Sequence, residues 1–76
     1  MSDEVLQAEL DEVEYRIGRL IEVVTGCAAR LLDKDTAPND RAEHVNTMLV
    51  ACGQLKERLG QSTTYRRAIY MAREAT

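Results

Sequence analysis

From Leu6 onward the apolar residues fall at alternating steps of four and three: Leu6, Leu10, Val13, Ile17, Leu20, Val24, Cys27 and Leu31. A strand would alternate every second residue, so this period fits only a helix. It is a heptad seam, with Leu10, Ile17, Val24 and Leu31 at a and Leu6, Val13, Leu20 and Cys27 at d. Such a stripe must be buried against other helices. Ser2 or Asp3 can cap the start, and the acids of the first turns suit the positive end of the helix dipole. The spacing predicts a first helix from about Asp3 to about Leu32.

The two halves of this helix differ. Up to Arg19 the seam has charged flanks, whereas from Leu20 onward Ile21, Val23, Ala28, Ala29 and Leu32 widen the apolar face. A helix that is apolar on several sides is covered from several sides. The second half is therefore expected at the centre of an assembly, with Leu20, Ile21, Val24, Cys27, Ala28 and Leu31 as its dimer interface.

Asp33 to Asp40 is polar, and Pro38 disfavours helix at the residue before it. Asp40 followed by Glu43 reads as a capping box. A second helix, about 40–59, then carries Val45, Met48, Cys52, Leu55 and Leu59, and Gly60 is a natural stop. The short connection favours an antiparallel hairpin. Ser62 or Thr63 can cap a short third helix, about 64–74, with Tyr65, Ala68, Ile69 and Ala72 as its stripe. At 1.5 Å per residue helix 1 is about 45 Å long and helix 2 about 30 Å. Helix 2 alone would not cover helix 1, so helix 3 or a second subunit must.

The expected fold is thus all-α: one domain over 1–76, a helical hairpin plus a short C-terminal helix, assembled as a homodimeric bundle. A chain of 76 residues has little core of its own. Cys27 and Cys52 sit at helix core positions without a second pair, which is thiol usage of a reducing compartment rather than a disulfide framework. Three tyrosines are the only aromatic rings among Phe, Trp and Tyr, too few for a packed α/β or β core. No apolar run reaches membrane-spanning length, and Met1-Ser2-Asp3-Glu4 opens with acid where a secretory signal needs base. A cytoplasmic location is expected.

The net charge of -3 opposes general affinity for nucleic acid. The charge is unevenly placed. Asp3, Glu4, Glu9, Asp11, Glu12 and Glu14 precede the first arginine, while Arg66, Arg67 and Arg73 face one acid, Glu74, at the other end. The two ends should attract each other, within the chain or between chains.

No catalytic constellation is present, and no cofactor motif or metal spacing. His44 lacks a positioned partner for general-base work. The acids of helix 1 spread around the helix instead of converging on a cation, and the thiols lack an exposed, electropositive setting. The chain is read as not an enzyme.

Residues 55–73 resemble a helix-turn-helix. Leu55, Leu59, the turn glycine Gly60 and Ile69 fall where that DNA-binding motif needs them. Lys56 stands where a small residue should let the helices approach, and Gln61 and Arg66 stand where apolar residues should pack. The resemblance implies a small DNA-binding regulator, with Arg66, Arg67 and Arg73 as phosphate contacts.

Two surface stripes point to protein partners. Arg66, Tyr70 and Arg73 follow i, i+4, i+7 and share one helix face. On helix 1, Tyr15, Gly18, Arg19, Glu22 and Gly26 line the side away from the seam. Tyrosine and arginine are enriched at binding hot spots. Mid-helix glycines cost about 1 kcal/mol each, and close approach by another element would explain them. The sequence therefore reads as a non-catalytic protein-interaction module, an adaptor or inhibitor of a larger protein, with Arg66, Tyr70, Arg73, Tyr15 and Arg19 as its contact residues. Short acidic helical chains without motifs are typical of phages and of secretion or regulatory operons, an analogy of architecture only.

Overall fold

The computed structural model describes residues 3–75. Two helices make up the fold: α1, Asp3–Leu32, and α2, Pro38–Glu74. They lie side by side and antiparallel in a rod of 58 × 14 × 14 Å. Asp3 meets Arg73 at the open end, and Leu31 meets Arg41 beside the loop.

Along α1, burial follows the expected seam. Leu6, Leu10, Val13 and Cys27 are buried, and Ile17, Leu20, Val24 and Leu31 are half-buried. Asp3 is already helical, and Ser2 as a cap lies outside the described residues.

The loop is closed by its own polar residues. The Asp33 carboxylate accepts from the Asp35 N–H at 2.9 Å, and the Thr36 hydroxyl donates to the Arg30 carbonyl at 2.7 Å. Helix α2 starts two residues before the expected Asp40. Ala37 is extended and makes no side-chain cap, so the capping box of Asp40 and Glu43 does not form. Pro38 accounts for the shift: its fixed φ suits the first helical position, and it has no N–H to leave unpaired.

The expected stop at Gly60 is absent, and so is a separate third helix among the described residues. Residues 38–74 form one helix of 37 residues, and no residue described has a positive φ. The hydroxyls of Thr63 and Thr64, expected near a new helix start, donate back to the carbonyls of Leu59 and Gly60 at 3.1 and 3.0 Å. That is the bonding of a helix interior. At about 55 Å, α2 spans the whole of α1.

Continuity fixes the register of α2. Its inward positions are Arg41, His44, Met48, Ala51, Leu55, Arg58, Ser62, Tyr65, Ile69 and Ala72, all buried or half-buried. These follow one heptad phase from end to end, with Arg41, Met48, Leu55, Ser62 and Ile69 at a. Met48 and Leu55 were expected inward. Val45, Cys52 and Leu59 were too, yet all three are exposed. Leu6 and Leu10 join Ile69 in a buried cluster, with Tyr65 and Ala68 packed against it. No large side chain is completely buried among the described residues.

Candidate functional site

Both helices carry the same heptad, so the flanks of the seam define two long edges of the rod. The positions just after d lie on one edge, and the Arg66–Glu14 ion pair, which joins two such positions, fixes this. The opposite edge contains Arg16 and Gln54, which line a common groove.

The first edge changes character along its length. Near the open end it is charged. Arg66 binds Glu14, Arg73 binds Asp3 at 3.6 Å, and Tyr70 lies beside them over a shallow groove. The expected attraction between the acidic start and the basic end thus occurs within the chain. Arg66, Tyr70 and Arg73 do come together on one surface, Tyr70 being 65% exposed.

Toward the loop the same edge is mainly apolar, interrupted by the exposed Lys56 one heptad after Leu49. Ile21 and Leu32 of α1, with Val45, Leu49 and Leu59 of α2, are exposed, Leu49 by 66% and Leu32 by 84%. Cys52 is exposed in the same stripe, while Ala28 is half-buried. Of the residues expected at a dimer interface, Leu20, Val24, Cys27 and Leu31 occupy the seam between α1 and α2. Only Ile21 and Ala28 lie on this uncovered edge. The stripe on α2 runs beside the true seam at the same period, and the seam phase from Met48 through Ile69 was the signal that separates them.

The second edge carries the other tyrosine. Tyr15 is 65% exposed over a groove of mixed charge, in which Arg16, Arg19 and Arg58 are accompanied by Glu12 and Glu57 beside Leu20 and Gln54. Arg16 is held by Glu12 at 2.9 Å and Arg19 by Glu22 at 3.4 Å. Both are pairs along one helix, which leave the guanidinium faces open. Tyr15 and Arg19 are therefore brought together, and Arg58 joins them from α2. A Cβ at Gly18 or Gly26 would meet nothing within 4 Å, so no element of this chain explains those glycines by close approach.

The remaining candidates stay apart. His44 is half-buried in the seam, Cys27 is buried and Cys52 is exposed. No group of three or more His, Cys, Asp or Glu side chains among the described residues could hold a metal ion. No described helix is long and apolar enough to cross a membrane. Residues 55–73 lie within one helix, so the turn a helix-turn-helix needs at Gly60 is not formed. No family model, curated protein or solved structure matches the chain.

Proposed function

We propose that this chain is a non-catalytic protein-interaction module, a small helical adaptor or inhibitor that binds a larger protein in the cytoplasm. The observation that carries the reading is the Tyr15 edge. An aromatic ring and three arginines from both helices meet at one open groove, with Arg16 and Arg19 exposed and the half-buried Arg58 held by Gln61. Tyrosine and arginine supply large contact areas and directional hydrogen bonds, and both ordinarily anchor protein interfaces. The Arg66, Tyr70 and Arg73 cluster on the opposite edge is the second surface of this type.

Both grooves are partly open to solvent and lined mainly by polar and charged side chains, whereas small-molecule sites are lined mainly by apolar ones and bring a few polar groups to one point. The test is affinity capture from the native host lysate with the intact chain, comparing wild type with Tyr15→Ala at equal helical content. A discrete protein retained by wild type and lost by the variant is the expected result. Specific retention of a DNA fragment, with no protein retained, would overturn the reading in favour of a nucleic-acid regulator.

A further inference from the structure

We infer that the apolar half of the first edge is covered by a second copy of this chain, laid parallel so that both loops sit at the same end. The hairpin's own packing leaves its loop half incompletely covered. Its loop-proximal seam residues Leu20, Val24, Leu31, Met48 and Leu55 are all only half-buried. Beside them lies an uncovered stripe from Val45 to Leu59, about 21 Å long at 1.5 Å per residue. A two-helix hairpin of this size rarely holds its fold alone.

Charge selects the copy and its orientation. On the charged half of the edge, α1 presents acids (Glu4, Asp11 and Glu14) and α2 presents Arg66 and Arg73. A twofold axis along the rod sets α1 of one copy against α2 of the other at the same height. Levels follow from Asp3 beside Arg73 at one end and Leu31 beside Arg41 at the other. Ile21 then falls between the partner's Cys52 and the partner's Leu59, and Ala28 falls level with the partner's Val45 and the partner's Leu49. On the charged half, Glu4 and Asp11 approach the partner's Arg73 and the partner's Arg66. Apart from Lys56, apolar surface meets apolar surface on the loop half, and acid meets base on the other half.

With the loops at opposite ends, α1 would instead lie on α1 and α2 on α2. Matching the apolar halves would then leave the charged halves without a facing surface. Only the parallel arrangement uses both halves, and in either arrangement every neighbouring helix pair is antiparallel, as in an up-down-up-down bundle. The second copy takes the edge that bears Tyr70, and a larger target is left the edge that bears Tyr15. The inference concerns the purified chain alone, so its failure would not touch the reading of a larger target.

Sedimentation equilibrium of the full chain tests it. Wild type should be a dimer at micromolar concentration, and Leu49→Glu should weaken association at least a hundredfold. Val50→Glu, also at an exposed position but toward the opposite edge, should leave association unchanged. Loss of helical content together with the dimer in Leu49→Glu alone counts equally in favour. Orientation is read from spin labels at Asp35→Cys in a Cys52→Ala background, where the loop tips should stand within about two helix diameters, ~25 Å. A wild-type monomer, a dimer broken by Val50→Glu but not by Leu49→Glu, or tips beyond about 40 Å apart would each overturn the arrangement.

Discussion

The Arg41 guanidinium donates a hydrogen bond to the Leu31 carbonyl at 2.9 Å and a second to the Asp33 carbonyl at 2.9 Å. The last carbonyls of a helix have no intrahelical partner, and here the first turns of α2 supply one from a half-buried seam position. One side chain thus caps α1 and ties the loop to the start of α2. Replacing it leaves two carbonyls that water can partly reach, so Arg41→Ala should cost about 1–2 kcal/mol. Arg41→Lys should recover less than half, because a compact ammonium cannot span both acceptors as the planar fork does. The check is the urea midpoint at one fixed protein concentration, since association adds to apparent stability.

Gly60→Ala should stabilise the protein by about 1 kcal/mol, the ordinary difference between these residues inside a helix. Gly60 has no positive φ, and a Cβ there meets nothing within 4 Å. A turn at this position would give the opposite sign, because alanine resists the left-handed conformation that ends helices. Thermal unfolding decides between them. A lower melting temperature for the variant would contradict one continuous α2.

These two residues also show what the sequence could and could not disclose. The α1 seam was legible because its apolar residues share one phase and no competing stripe has the same regularity. In α2, Val45, Leu49, Cys52 and Leu59 form a second apolar stripe of the same period beside Met48, Ala51 and Leu55. Periodicity detects a stripe but not which of two neighbouring stripes faces the partner. Reading Gly60 as a stop then hid the phase that joins Met48 and Leu55 to Ser62 and Ile69. The uneven charge was legible, and it appears as the Arg66–Glu14 and Arg73–Asp3 pairs. The tyrosine faces were legible as spacings. That Arg58 completes the Tyr15 groove was not, because it depends on how α2 lies against α1.

The register of α2 can be tested at adjacent positions. Ala51 is 4% exposed, whereas Cys52 is exposed. Ala51→Asp places a charge in the seam with no partner and should cost more than about 2 kcal/mol. Cys52→Ser should change stability by no more than about 0.5 kcal/mol, read at low protein concentration, where association contributes least. The expected register with Cys52 inward would reverse the order. Denaturant midpoints of the two variants under one condition settle it.

The last prediction separates the two tyrosines. Tyr15 and Tyr70 are equally exposed, at 65% each, so neither should be needed for the hairpin itself, and both alanine variants should keep their helical content. Their effects on binding should differ. Tyr15→Ala and Arg19→Ala remove contacts from the edge left open in the dimer, and a true hot-spot residue costs about 2 kcal/mol or more, roughly a thirtyfold loss of affinity. Arg16 supplies an internal comparison: it lines the same groove and is held by Glu12, so truncating it should matter less if Tyr15 is the anchor. Tyr70→Ala should act on self-association instead, raising the dimer dissociation constant while leaving target affinity per dimer unchanged. Titrating the captured protein against each variant, with the oligomeric state measured in parallel, gives both readouts. If Tyr70→Ala abolishes target binding and the dimer persists, the target sits on the Tyr70 edge and the assignment of the two edges is reversed.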